Sequence, residues 1–528
     1  MGEQSQVVII GGGPVGMALA VNLALRGISC AVIERHLEPQ RIPKGQNLLQ
    51  RSMEHFWFWG IADELRAARV MPREFPMSGL VSYASLTSEY WYAPPQRELL
   101  NPYYYLENER LPQYLMEAVL RRKAASLSNL ETRFGWSAEA VEQDGEGVRV
   151  AVDREADGAR DVLEADYAVG CDGSNSLVRD QIGITRSGTA FDQPMVLTVF
   201  RSRALNEALN ERFPPLSTYR VMHQDLKGYW QFFGRVDEDE GWFFHAPVPP
   251  KTTRENFDFH GLMEKIAGFK FACEFEHVGF WDLHVAVADT YKVGRVFIAG
   301  DAAHSHPPYG GYGLNNGLED AVNLGWKLAA KLKGWGGDAL LRTYGEERHP
   351  IFRETGDDFI AARIEGDRDF FDRHNPDRDL AEFEQAWKTH AGAAAPRILN
   401  YEPHYEGSSI VAGPPGARCS AHGEHSFTAR TGHHLPPQPL SCNGNVYEAL
   451  SQDFTLLAFD ADDGTLSAFE QESAQRNVPL KIVRDTYGDG RETYESKLIL
   501  VRPDQYVAWC GDEEPEDVAA LMGKVIGS

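Results

Sequence analysis

Three glycines near the start of the chain have the spacing that lets backbone approach phosphate. Gly11, Gly13 and Gly16 form G-x-G-x-x-G, with Pro14 and Val15 before the last of them. The first glycine of such a set permits a tight turn. The second keeps a Cβ away from a pyrophosphate, and the third lets a helix pack closely on a strand. The helix that follows would offer unpaired N–H groups and partial positive charge to the phosphates. Glu34 stands 23 residues after Gly11, near the roughly 20 expected of a carboxylate that binds ribose hydroxyls. A carboxylate there repels a 2′-phosphate, so the dinucleotide held at this turn should be FAD or NAD and not NADP. Arg35 and Arg51 are candidates for contacts to the same ligand.

A second set of residues lies far along the chain. Val296-Phe297-Ile298-Ala299 runs into Gly300-Asp301, and Asp301 could bind the ribityl hydroxyls of a flavin. A glycine-rich loop, Pro307 to Asn316, then leads into a long helical pattern. The start of that helix, Gly311, Gly313, Leu314 and Asn315, would aim N–H groups at a flavin's pyrimidine edge and favour its reduced, anionic state. Gly311 and Gly313 are expected where a Cβ would crowd the ring or forbid a positive φ. Between the two sets, Cys171-Asp172-Gly173-Ser174 ends a strand-like stretch, and Asp172 is a further cofactor candidate. Together these favour FAD over NAD.

Reactive side chains concentrate in residues 190–290, a region rich in aromatic and β-branched residues. Histidine is the residue type suited to a general base, so His223 and His245, with Tyr219, are the catalytic candidates. Trp230 and Phe232, with Pro308 and Tyr309 of the glycine-rich loop, could wall a planar ring. The six cysteines, at 30, 171, 273, 419, 442 and 510, contain no CxxC pair. That pattern fits neither a disulfide framework nor a thiolate zinc site, and it suits a reducing cytoplasm. Cys419, His422, His425, His433 and His434 form a Cys/His-rich patch without a second nearby thiolate, and no metal is expected there.

The elements that position these groups can be read from periodicity. Val7-Val8-Ile9-Ile10 and Cys30-Ala31-Val32-Ile33 read as buried parallel strands on either side of a helix, with a right-handed crossover. Gln113 to Ala125 reads as a helix, Val148 to Val169 as strands, and residues 190–290 as an antiparallel sheet. Leu318, Ala321, Val322, Gly325, Leu328, Ala329 and Leu332 lie on one helical stripe. Linker-like composition at 391–416 precedes two further strands, Phe454 to Phe459 and Leu498 to Val501.

The chain has 528 residues, enough for about three domains, with 43% hydrophobic and 24% charged residues. Lys and Arg number 52 against 77 Asp and Glu, a net charge of −25. Such acidity disfavours nucleic acid and anionic membranes as partners. Val7 to Leu25 carries no charge, but Gly11 to Pro14 interrupt it and Glu3 precedes it without a basic residue. Neither a membrane span nor a secretory signal is expected.

The order of the three motifs resembles the class A FAD-dependent aromatic hydroxylases. The likeness includes Arg179 after Asp172-Gly173, the run Ala321 to Leu328, and the ending Leu500 to Trp509, the last two typical of the phenol and polyketide hydroxylase branch. The resemblance implies an α/β fold: a Rossmann-like FAD-binding domain (1–185 and 289–395), an inserted β-sheet substrate domain (186–288), a linker (396–416) and a thioredoxin-like domain (417–528). It assigns Gln113 a flavin contact and His304 a loop-holding role. It also implies NADPH or NADH as co-substrate, O2, and an aromatic small molecule hydroxylated through a flavin C4a-hydroperoxide, with a homodimer left open. Rivals are a Baeyer–Villiger or ring-opening oxygenase acting on a polyketide, and a flavin-binding assembly or regulatory protein. The chain departs from the family at Tyr312, often Gln, and at Asn316, often Thr or Ser. Without CxxC its last domain cannot run dithiol chemistry.

Overall fold

The computed structural model describes residues 5–77, 79–95, 97–392 and 394–528. Glu3 and Ala393, which entered the readings of the N-terminus and linker, lie outside them. Val7–Ile10 is buried along its whole length and lies inside a six-stranded sheet. It runs parallel to Cys30–Glu34 on one side and Tyr167–Gly170 on the other. Val296–Ile298 extends the parallel set beyond Tyr167–Gly170, and Leu130–Phe134 does so beyond Cys30–Glu34. The helix Pro14–Leu25 starts with proline in its first turn, where a missing N–H costs no hydrogen bond. It packs on the long helix Tyr312–Leu332. A Cβ at Gly325 would fall 2.7 Å from Asn22 Oδ1, so this glycine allows the two helices to approach.

The second large sheet has eight strands. Arg186–Arg201 and Glu274–Ala288 pair along most of their length, followed by Gly241–Pro247, Gln231–Arg235 and Thr218–Met222. The segment 186–288 does not build this sheet alone. Gly79–Tyr83 joins parallel to Thr218–Met222, and Trp91–Tyr92 and His304–Ser305 form the edges. Two of these additions are only two residues long, too short to show an alternating pattern.

Residues 396–416 are packed and not a free tether. Ala394–Leu399 is helical, Tyr401–His404 pairs with Ser420–His422, and Ile410 and Val411 are buried. Their Pro/Gly composition signalled irregular backbone, and irregular backbone can still be buried when its N–H groups find partners; that of Ala412 donates to the Ala508 carbonyl. The last sheet pairs Phe454–Phe459 in parallel with Leu480–Asp485 across the helix Asp463–Gln475. It pairs antiparallel with Leu498–Val501, which pairs with Val507–Gly511. The helix Val518–Val525 completes the thioredoxin-like arrangement.

A buried charge network fixes this sheet to the rest. Arg502 donates to both oxygens of Glu347 (2.7 and 2.9 Å) and to Asp504, and Lys327 Nζ reaches Glu347 at 2.6 Å. Trp326 Nε1 donates to Asp504 at 2.9 Å. Burying such charges is costly unless each is partnered, as here. The network clamps the long helix, whose first turn faces the cavity described next.

Candidate active site

The strand Val7–Ile10 ends in a turn that only glycine fits. Gly11 has φ +104°, and a Cβ there would lie 2.3 Å from the Cys171 carbonyl oxygen. A Cβ at Gly16 would lie 1.9 Å from the Gly11 carbonyl oxygen. Gly13 differs: open space lies in front of it, and it lines a cavity of about 810 Å³ together with Gly11, Pro14 and Val15. Glu34, at the end of the neighbouring strand, accepts from the Gly12 N–H (2.7 Å) and the His36 N–H (2.8 Å) at the cavity wall. Arg35 lines the cavity beside it.

Asp301 is aimed by a residue that the sequence reading missed. Asp320, buried in the long helix, accepts from the Gly300 N–H (3.1 Å) and Arg348 Nε (2.8 Å) and hydrogen-bonds His304 Nε2. His304 stacks on Phe352 at 3.8 Å, so it does hold this turn. Asp301 then projects into the cavity, enclosed by protein but open to the lumen. Among the described residues no donor reaches its carboxylate. Desolvation raises its pKa, against the attraction of His304, Lys44, Arg186 and His284. Arg179 Nη1 links this turn to the Asp172 turn by donating to the Ala302 and Ser174 carbonyls. Asp172 lines the cavity, but its carboxylate is committed to Ser176 Oγ and the Val178 N–H.

Left-handed residues Gly310 (φ +82°) and Gly311 (φ +71°) deliver the chain into the long helix. Gly313 needs no positive φ, which corrects one of its two expected roles. It lines the cavity with Gly311 and Leu314, and a Cβ there would meet His306 at 3.4 Å. Asn315 uses its side chain elsewhere. It accepts from the Leu49 N–H and Ser52 Oγ and donates to the Asn47 and Gly311 carbonyls, tying residues 47–52 to the helix start. Gln113 lines the cavity and donates to Glu117 at 2.7 Å.

The far end of the cavity is one face of the eight-stranded sheet. Strand alternation decides which aromatics reach it. Phe232, Phe243, His245 and Trp281 line the cavity, whereas Tyr219, Phe233, Trp242 and Phe244 pack in the core on the opposite face. Tyr219 is therefore not a catalytic candidate. It is wholly buried, and its hydroxyl accepts from Arg235. His223 is also removed from the site: its Nδ1 accepts from the Asp225 N–H and it stacks on Tyr83. His245 remains. It stacks on Phe232 at 4.9 Å, its Nδ1 has no partner among the described residues, and burial pushes its pKa down to about 3. It is a neutral imidazole and not a base matched to neutral pH. Of the expected ring walls, Phe232 and Pro308 line the cavity. Trp230 and Tyr309 stack on each other at 4.0 Å in the core, and Trp230 Nε1 donates to Asp367.

Other expectations resolve in the same way. Arg51 pairs with Glu319 and Glu54 and donates to Gln505, so it takes no part in the cavity. Tyr312 packs on Tyr401, and Asn316 donates to the Tyr401 hydroxyl and accepts from Arg348. These two departures from the family pattern brace the helix from behind. The Cys/His-rich patch does not converge: His422 pairs with Asp358, and His434 with Glu54 and Tyr447. His433 instead sits with His404 and Glu406, their ligand atoms within 4.8 Å of one another, and bonds Glu402 and Glu406.

The family model for an FAD binding domain matches residues 4–358, and that for the C-terminal part of aromatic-ring hydroxylases matches residues 428–528. The chain belongs to the FAD-dependent aromatic-ring hydroxylases. This hydroxylase is 33% identical to rifampicin monooxygenase of Streptomyces venezuelae over 97% of its own length and 96% of the relative's. It is 27% identical to tetracenomycin A2 monooxygenase-dioxygenase of Streptomyces glaucescens, over 98% and 96%. Its fold superposes on the rebeccamycin biosynthetic enzyme RebC with reduced flavin (TM-score 0.85, 28% identity, 99% of each chain). It also superposes on aklavinone-11 hydroxylase with FAD and aklavinone (TM-score 0.81, 25% identity, 100% of each chain). The cavity suits FAD: Gly13 leaves room where a Cβ would intrude, and Asp301 presents a carboxylate without a partner among the described residues. Among the described residues no helix is long and apolar enough to cross a membrane.

Proposed function

We infer that this hydroxylase uses NADPH or NADH and O2 to place one oxygen atom on an electron-rich phenolic or polycyclic aromatic ring. The observation that carries the reading is a single cavity running from the glycine turn and Asp301 to the aromatic face of the large sheet. When bound, FAD supplies hydride acceptance and oxygen activation. Gly11, Gly13, Pro14, Val15, Gly16, Glu34 and Arg35 would hold its dinucleotide half, Asp301 its ribityl chain, and Gln113, Gly311, Gly313 and Leu314 the flavin end. Asp172 and Asn315 serve this site as positioning residues. Phe232, Phe243 and Pro308 sandwich and shield the aromatic ring from water. His245, neutral at physiological pH, exchanges a hydrogen bond with a ring hydroxyl. We also assign residues 186–288 as the main substrate module and residues 417–528 as a bracing module. Six free cysteines support a cytoplasmic location.

A panel of phenols and polycyclic hydroxyarenes tests the reading. Substrate-stimulated NAD(P)H consumption should accompany a product heavier by one oxygen atom, placed on a ring carbon. Oxygen inserted between two carbons would establish the ring-opening rival. Flavin binding without stimulated consumption by any compound would favour an assembly or regulatory role.

A further inference from the structure

The aromatic end of the cavity contains a buried guanidinium that no carboxylate among the described residues pairs with. Arg110 is 1% exposed and lines the cavity. Its Nη2 donates to the Arg235 carbonyl at 2.7 Å, whereas Nε and Nη1 have no partner among the described residues. The adjacent carboxylate, Glu109, is taken by Arg69. The charges that act on Arg110 most strongly are those of Arg69 and Arg235, both positive, and with desolvation they pull its pKa down to about 9. Gln46 lies on the same two-stranded ribbon, where its neighbour Asn47 pairs with Arg110 and its carbonyl accepts from the Leu111 N–H. It too is buried and lines the cavity, and both atoms of its side-chain amide are unpartnered. His245 Nδ1 and Trp281 Nε1 complete a set of unmatched polar atoms around the Phe232 and Phe243 walls.

An uncompensated charge in such a place is costly unless a ligand supplies the opposite charge. Asp301, a free carboxylate of the cavity, does not supply it. The cations that act most strongly on Asp301 are His304, Lys44, Arg186 and His284. Glu34, Glu117 and Asp172, the other acids discussed above, are held by Gly12, Gln113 and Ser176 respectively. We propose that Arg110 and Gln46 form an anion-reading subsite, and that the substrate of this hydroxylase is an aromatic compound bearing a carboxylate or an equally acidic oxygen group. This rests on the oxygenase reading and names its substrate class. Guanidinium suits the task because it stays charged when buried and is weakly hydrated. On a chain of net charge −25, it also offers anions a local attraction that the surface as a whole does not.

The test is a titration of the FAD-loaded protein with hydroxynaphthoate and with its neutral counterpart hydroxynaphthamide, followed by flavin absorbance. Wild type should bind the acid about tenfold or more tightly than the amide. Arg110→Gln should abolish that preference while leaving FAD affinity and amide binding within about twofold, and Arg110→Lys should restore part of it. If Arg110→Gln does not fold, Gln46→Ala should still weaken acid binding severalfold and spare the amide. A wild type without acid preference, whether it binds both compounds or neither, overturns the proposal. So does a preference that survives Arg110→Gln, an acid affinity unmoved by Gln46→Ala, or loss of FAD from Arg110→Gln with the preference intact. Failure of the oxygenase reading would appear separately, as absent NAD(P)H consumption in a protein that still discriminates acid from amide.

Discussion

The two ends of one cavity are built on opposite principles. At the dinucleotide end the protein satisfies itself: Glu34 is held by backbone N–H groups, Asp172 by Ser176 and Val178, and the glycine turn by sterics. Asp301 is left open to the cavity, and Asp320 fixes the turn behind it. At the aromatic end, Arg110, Gln46, His245 and Trp281 line the cavity, and each keeps buried side-chain atoms that have no partner among the described residues. A site for a constant ligand can be made of backbone geometry, which varies little with side-chain identity. A site that must select one aromatic compound needs side chains whose partners are supplied by that compound.

The comparison breaks most severely at Gly16. Gly16→Val places carbon atoms against the Gly11 carbonyl and should destabilise the fold by about 4 kcal/mol or more. The variant should be recovered without flavin or not at all, as read by denaturant melts and by the absorbance of the purified protein. A variant that folds and stays yellow would remove the steric account of the dinucleotide end.

Next in size is a pH effect at the aromatic end. His245 has a pKa near 3 in the folded chain against 6.5 as its ordinary value. Below pH 6.5 the unfolded chain binds a proton that the folded chain refuses, so this residue lowers stability as pH falls toward 3. At pH 4 the loss should be about 3 kcal/mol. His245→Phe should flatten the pH dependence of the melting temperature between pH 7 and pH 4. Equal slopes for wild type and variant would show that the imidazole is not buried neutral.

A smaller effect separates the two ends directly. Asp301→Ala should remove a charge-assisted hydrogen bond worth about 1.5–3 kcal/mol, weakening FAD roughly 10–150-fold. Discrimination between hydroxynaphthoate and hydroxynaphthamide in the flavin-saturated protein should be unchanged. Equilibrium dialysis against FAD measures the first and the absorbance titration the second. Wild-type FAD affinity in this variant would place the ribityl chain elsewhere.

By itself the sequence determined the dinucleotide end and the framework around it. The glycine spacing, the β-branched runs at Val7–Ile10 and Cys30–Glu34, the helix Gln113–Ala125 and the turn at Gly300-Asp301 all appear as read. These are local features: a tight turn or a buried strand is specified by neighbouring residues, so its signal survives in one dimension. Tertiary structure decided the aromatic end. Whether Tyr219 or Thr218 meets the cavity depends on one step of strand register, and a two-fold alternation names two faces without saying which is covered. His223 and His245 look alike in sequence, and only packing buries one in the cavity wall and leaves the other in a turn. Arg110 lies three residues before Gln113 and carried no visible signal, because its neutralising partners are missing in space and not in sequence. The same holds for Asp320, which acts on a turn 20 residues earlier, and for Arg502, whose partner Glu347 lies 155 residues away.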